Sequence, residues 1–366
     1  MAPDANFPGM RKQEMDTPAL LVDLDVMEAN IARMARFLEG KQARLRPHYK
    51  THKTPAIALK QLEAGAIGIT CAKVEEAETL VNGGVKDILI ANQVVGRTKI
   101  ARLAGLARHA GLMVAVDDPR NVDELSAGMM VAGASLRVLV EVNVGNNRCG
   151  AEPGDAAVSL AKKISEAPGL RFAGIMGYEG FCQRIKDMAA REAAVRKAMA
   201  SLLRTRDLIE AGGLEVDIVS GGGTGTHTII ATIPGITEIQ AGTYVVMDAD
   251  YRNLGVDFGC ALTLLATVIS RPVPGIAIAD AGLKAMTEDH GMPELQGVPG
   301  GKLVQLSEEH AKIELAGPSV TLDPGDKVEF IPGHACTTIS LHDNLYGIRN
   351  NRLEVVWTIA GRGKFR

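Results

Sequence analysis

Aromatic side chains are scarce, at 4% of 366 residues with a single Trp, so aliphatic and small residues must fill any core. Only five cysteines occur (Cys71, Cys149, Cys182, Cys260, Cys336), and no two form a CxxC pair. That excludes a disulfide framework and an all-thiolate zinc cage. A functional cysteine must act singly or beside another kind of ligand. No apolar run approaches the roughly 20 residues that cross a bilayer; residues 229–233 and 276–281 are typical. The first ten residues, MAPDANFPGM, hold no apolar secretory core. The net charge of −3 offers no general attraction to nucleic acid or anionic membrane. These absences point to a cytoplasmic protein with neither a membrane nor a nucleic acid as partner.

What is present is a chain 46% hydrophobic and 23% charged, with 40 Gly, the make-up of a tightly packed α/β protein. Its length exceeds what one hydrophobic core usually holds, so a large domain and a smaller one are expected. From residue 19 to about 243, short β-branched runs alternate with longer amphipathic ones, as in a parallel βα array. The runs 19–24, 45–49, 68–71, 87–91, 113–117, 138–142, 172–177, 216–220 and 238–241 predict strands, and 26–38 and 189–211 predict helices. Eight strands close a (β/α)8 TIM-like barrel, so one of these nine lies outside the ring. After Tyr244 the helical patterns vanish. Short runs at 261–270, 275–281, 303–306, 312–315, 327–331 and 353–359, separated by Pro/Gly turns, predict a second, smaller, C-terminal antiparallel β-domain.

Four clusters carry reactive groups. The first is Arg44-Leu-Arg-Pro-His-Tyr-Lys-Thr-His-Lys53, running from a predicted strand into a predicted helix. In a parallel barrel that junction is the C-terminal face, where active sites sit. His48 and Lys50, two apart on a strand, share a face. Surrounded by other cations, Lys50 would lose its proton readily and serve as a Schiff-base nucleophile. The plainer reading is a solvated basic patch, and the pattern alone leaves both open. The second cluster, Ser220-Gly-Gly-Gly-Thr-Gly-Thr226, follows a strand directly. It lacks the spacing of a nucleotide P-loop or a dinucleotide fold. Converging backbone N–H groups with Thr224 or Thr226 suit a single phosphate monoester, the alternative being an ordinary tight turn. Gly242 and Thr243, in Gln240-Ala-Gly-Thr-Tyr244, end the next strand and can serve the same anion.

The third cluster places Arg148 in the loop 142–150, again after a strand. The fourth is Pro332-Gly-His-Ala-Cys336. On an extended segment His334 and Cys336 would point the same way, and imidazole with thiolate favours zinc. Two ligands do not make a site, however, and a buried cysteine is commonly a small hydrophobe. The nearby His342 and Asp343 read as surface residues.

In this order, the four clusters resemble the fold-type III pyridoxal-phosphate enzymes with an alanine-racemase-like barrel, specifically the D-threonine aldolase and D-serine dehydratase group. The resemblance also runs through residues 16–25, Gly177-Tyr-Glu-Gly180 and Asp280-Ala-Gly-Leu-Lys284. It implies that Lys50 holds pyridoxal 5'-phosphate as a Schiff base, that Arg148 faces the pyridine nitrogen and that Tyr178 lines the pocket. Thr224, Gly225, Gly242 and Thr243 would hold the phosphate. A divalent metal at His334 and Cys336 would bind and acidify the β-hydroxyl of a small-molecule β-hydroxy-D-amino acid. Zinc is the expected ion, with Mn²⁺ or Mg²⁺ as alternatives. The resemblance further implies a homodimer, a barrel over 26–243, and a β-domain of 1–25 plus 244–366 carrying the metal pair.

The expected activity is that of a lyase cleaving Cα–Cβ by retro-aldol reaction. The alternative is a dehydratase releasing a 2-oxo acid and ammonia. A non-catalytic cofactor carrier or an amino-acid racemase is a further alternative, weakened by the β-domain and the metal pair. Cys336 gives the H-x-C of the dehydratases where aldolases carry H-x-D, whereas the C-terminal run 341–363 is aldolase-like. Arg184 stands where the aldolases have a histidine, and Ala72 where they have a glutamine.

Overall fold

The computed structural model describes residues 5–317 and 320–366, so the first four residues of the expected 1–25 segment lie outside it. The chain divides into two compact units. One comprises the chain up to Arg33, Thr51–Thr54 and Thr243–Gly363; the other comprises Met34–Lys50, Pro55–Gly242 and Lys364–Arg366.

The first strand, β1 (Ala19–Asp23), belongs to the former unit. The eight that follow make a separate parallel sheet: β2 (Arg44–Leu45), β3 (Ile69–Cys71), β4 (Asp87–Ile90), β5 (Gly111–Val116), β6 (Leu136–Glu141), β7 (Leu170–Gly177), β8 (Ile218–Gly221) and β9 (Glu238–Ile239). They pair in the order β2-β9-β8-β7-β6-β5-β4-β3. The ends meet, because Ile67 N–H donates to the Leu45 carbonyl (2.9 Å), Thr70 N–H to Pro47 (2.9 Å) and Tyr49 N–H to Thr70 (2.7 Å). The ring is therefore a (β/α)8 barrel.

Its strands are buried on both faces, which is why they read as continuous apolar runs rather than alternating ones. Leu89, Met113, Ala115, Leu139, Ala173 and Met176 form one cluster, while Ile88, Ile90, Leu112, Val114, Val138 and Val140, at the alternate positions, are equally buried. The helices predicted at 26–38 and 189–211 are Leu24–Leu38 and Met188–Ala211. The second starts at Asp187, whose carboxylate accepts the Ala190 N–H (2.7 Å) as an N-cap.

The surplus ninth strand of the sequence rhythm is β1. It pairs antiparallel with β10 (Leu262–Ser270). Its other neighbour is parallel: β16 (Asn344–Arg349), with Leu21 opposite Tyr346. The nine-stranded sheet is thus antiparallel, as expected, apart from this one parallel pairing. It is completed by β11 (Ile276–Ala279), β12 (Glu294–Gln296), β13 (Gly301–Leu306), β14 (Ala311–Leu315), β15 (Lys327–Ile331) and β17 (Arg352–Thr358). Met15, Ala19, Leu21, Leu265, Tyr346, Ile348 and Leu353 pack together against it. Trp357, in β17, sits opposite Leu345. Helix does not vanish after Tyr244 as expected: Ala249–Asn253 and Ala335–Ile339 are helical. Among the described residues, no helix is long and apolar enough to cross a membrane.

Candidate active site and metal cluster

Of the residues singled out in the sequence, the barrel unit carries Lys50, Arg148, Tyr178, Thr224, Gly225 and Gly242, and the sheet unit carries Thr243, His334 and Cys336. Lys50 follows β2 in a turn, half-buried, and its N–H donates to His48 Nδ1 (3.3 Å). Its Nζ lies 5.8 Å from the centroid of the Tyr178 ring, just past the end of β7. Arg148, from the loop after β6, approaches the same ring, with its guanidinium carbon 5.5 Å from the centroid. Three residues far apart in sequence therefore converge at the C-terminal ends of β2, β6 and β7.

The surroundings of Lys50 differ from expectation. Arg46 is buried and paired through two nitrogens with Glu238 (2.9 and 3.0 Å), and it also pairs with Asp87. Its charge is neutralised, so it does not act as a free cation beside Lys50. Lys53 is not on a helix, which begins at Pro55. It is buried with φ +49°, and its carbonyl accepts the Gly361 N–H (2.9 Å).

The glycine turn wraps a buried carboxyl that the sequence reading did not single out. Glu179 Oε1 accepts from the Thr226 hydroxyl (2.6 Å) and Gln183 Nε2 (2.8 Å), and Oε2 accepts the Gly222 N–H (3.1 Å). Gln183 in turn accepts the Gly225 N–H (2.9 Å). Burial pushes the Glu179 carboxyl up from its ordinary range, and the hydrogen bonds from Thr226, Gly222 and Gln183 only partly oppose it. Gly222 has φ +77°, and a Cβ on Gly221 would sit 2.6 Å from the Gly177 carbonyl, so this turn needs glycine. The N–H expected from Gly225 is engaged with Gln183, while Thr224 is buried and its carbonyl meets His227 Nδ1 (2.8 Å). Gly242 and Thr243 are buried too.

In the sheet unit, His334 is extended, but it is the N-cap of the helix Ala335–Ile339, so Cys336 lies within the helix and not on a strand. The two side chains remain hydrogen-bonded, and Cys336 Sγ also donates to the Thr51 hydroxyl (3.4 Å). Asp248 fixes this helix start: its Oδ2 accepts the Ala335 N–H (3.0 Å), and burial pushes its carboxyl to about 6.

His334 Nδ1 lies 2.7 Å from Asp289 Oδ2, and its ring stacks on His290 at 3.6 Å between centroids. Burial lowers the His334 pKa, but hydrogen bonds and charge from Cys336 and Asp289 outweigh it and set the value at about 9. Asp289 is held well below the usual carboxylate range. Burial, the largest single influence, raises it, but hydrogen bonds from His334, Thr287 and Thr337, with the His334 charge, win. One potential ligand atom from each of Asp289, His290 and His334 lies within 4.8 Å of the others. Asp289 and His290 escaped the sequence reading because they lie some 45 residues before His334 in a Gly-rich turn; the Asp-His dipeptide was the one available signal.

These residues fit the groups implied. A lysine amine and an arginine on one tyrosine ring, with a strand-end turn too tight for a Cβ at Gly221, suit a phosphorylated pyridine cofactor; an imidazole hydrogen-bonded to a thiol and a carboxylate suits a divalent ion.

Residues 22–250 match the family described as alanine racemase, N-terminal domain, and residues 261–348 a putative serine dehydratase domain. The chain is 39% identical to a D-threonine aldolase of an Arthrobacter species, over 97% of this chain and 95% of that protein. It is 38% identical to a 3-hydroxy-D-aspartate aldolase of Paracoccus denitrificans, over 98% and 95%. The crystal structure of a D-threonine aldolase from Filomicrobium marinum superposes with a TM-score of 0.96 at 40% identity, covering 98% of this chain and 99% of that one. The chain is thus a lyase of the fold-type III pyridoxal-phosphate family with an alanine-racemase-like barrel, in the group of the D-threonine aldolases and D-serine dehydratases.

Proposed function

We propose that the enzyme cleaves the Cα–Cβ bond of β-hydroxy-D-amino acids, releasing an aldehyde and glycine or another small amino acid. Pyridoxal phosphate would be held by Lys50, and zinc by His334 with Cys336. The observation that carries this reading is the convergence of Lys50 and Arg148 on the Tyr178 ring. When bound, the cofactor supplies a ring that accepts the electron pair freed at Cα, and the ion acidifies the β-hydroxyl. The chain does the rest. Lys50 anchors by its amine, and Tyr178 gives an apolar face with a polar tip. Arg148 would meet the ring nitrogen with a guanidinium, which can only donate to it and so would leave it unprotonated. That weakens the electron sink and makes help at the hydroxyl necessary.

The phosphate would rest on Thr224, Gly242 and Thr243. The Gly225 amide joins them only if Gln183 releases it. D-threonine and 3-hydroxy-D-aspartate head the substrate list, from the names of the relatives. We also infer a cytoplasmic homodimer.

Dehydration is the second reading, favoured by the Cys336 thiol and by the serine dehydratase match over 261–348. Incubation with D-threonine, D-phenylserine, 3-hydroxy-D-aspartate and D-serine, assayed for aldehyde and for 2-oxo acid, separates the two. Aldehyde with an equal amount of amino acid supports aldol cleavage; 2-oxo acid and ammonia without aldehyde overturn it.

A further inference from the structure

One nitrogen of the His334 ring is held by a carboxylate that is itself held. Asp289 Oδ2 is 2.7 Å from Nδ1, and the other oxygen, Oδ1, accepts from the Thr337 hydroxyl (3.0 Å). Thr337 is three residues beyond His334 on the helix that His334 caps. Its hydroxyl also meets that of Thr287 (2.7 Å), and the Thr287 N–H donates to the Thr338 hydroxyl (3.2 Å). The loop 287–289 is thereby sewn onto the first turn of the helix. His290, stacked with an interplanar angle of 18°, resists rotation of the His334 ring out of its plane.

We propose that Asp289 is the positioning carboxylate of the metal site, holding Nδ1 of His334 so that Nε2 alone faces the ion. The proposal rests on the metal-dependent reading above and goes beyond the ligand pair read from sequence. A histidine ligand is commonly oriented by a carboxylate on its other nitrogen, which sets the tautomer and raises its basicity. Both Asp289 oxygens are already engaged, so direct ligation would break either the bond to His334 or the one to Thr337. The ligand chemistry is that of a borderline-soft divalent cation, Zn²⁺ being the probe.

The test uses full-length protein loaded with pyridoxal phosphate. Zinc affinity is measured by competition with a chromogenic chelator in the wild type, Asp289→Asn, Asp289→Glu and His334→Ala. Asp289→Asn should weaken zinc by about 10- to 100-fold, the range for losing such a partner. The cofactor absorbance should stay unchanged, and Asp289→Glu should recover part of the affinity. Wild-type zinc affinity in Asp289→Asn, with loss in His334→Ala, overturns the positioning role alone. Wild-type affinity in His334→Ala overturns the metal reading beneath it. A zinc-loaded crystal structure decides independently of whether the variants fold. Nε2 should lie about 2.0–2.1 Å from the ion, with both Asp289 oxygens outside ligand range. An Asp289 oxygen or Nδ1 bound to zinc refutes the proposal.

Discussion

Glu179 in the barrel and Asp289 in the sheet unit each accept several hydrogen bonds, yet they are held by opposite physics. Glu179 is fully buried among a hydroxyl, an amide side chain and a backbone N–H. With no cation in that set, burial outweighs the hydrogen bonds and pushes its carboxyl up from the ordinary range. Asp289 is open to water on one side and gripped by an imidazole, so its anion is favoured. A fixed anion behind a histidine sharpens that histidine for a cation. The same functional group is thus shifted upward in one unit and downward in the other.

The largest effect should come from separating the two ligands. Lys50→Ala should abolish the yellow cofactor absorbance and nearly all turnover while leaving zinc bound; His334→Ala should release zinc and end turnover while the absorbance stays. Absorbance spectra beside metal analysis check both. A Lys50→Ala protein that still forms a borohydride-reducible adduct would move the anchor to another lysine. Next in size, Glu179→Ala orphans the Gly222 N–H and removes a partner from Thr226 and Gln183. At about 1–3 kcal/mol for each buried group left unpaired, thermal denaturation should show a loss of about 3 kcal/mol or more, whereas Glu179→Gln, which keeps one accepting oxygen, should lose less.

Exchanging the soft ligand in Cys336→Asp should shift preference from Zn²⁺ toward Mn²⁺, read from reactivation of the metal-stripped enzyme by each ion. The smallest effect is a slope. Because the Glu179 value is raised on folding, its contribution is present below the ordinary carboxylate range and is lost as pH rises through the folded value. The melting temperature of Glu179→Gln relative to the wild type should therefore climb as pH rises from about 4. A flat difference would mean that folding does not raise the Glu179 value.

The sequence made the ring legible because each βα unit is local, and both long helices are found within two residues of expectation. It misplaced what depends on distant partners. The parallel neighbour of β1, β16, is more than 300 residues away, and no periodicity reports such a pairing. The helix Ala335–Ile339 spans five residues, too few to show a 3.6-residue repeat, so His334 and Cys336 looked extended. Arg46 looked like a free cation because Glu238, its partner, lies 192 residues on. Lys50 and Arg148 stood out because each lies in the segment after a barrel strand, where side chains from distant parts of the sequence meet, whereas Tyr178 was named only through the family resemblance.

The single tryptophan, Trp357, pairs across β17 with Leu345 in the sheet unit, and the barrel unit has none. Its fluorescence is therefore a local witness. Unfolding followed at tryptophan emission records events around β16 and β17, and a variant that loosens only the barrel can leave that signal untouched. Stability changes caused by Glu179 need circular dichroism or cofactor absorbance to be seen. A gap between the optical curves would measure how far the two units melt as one.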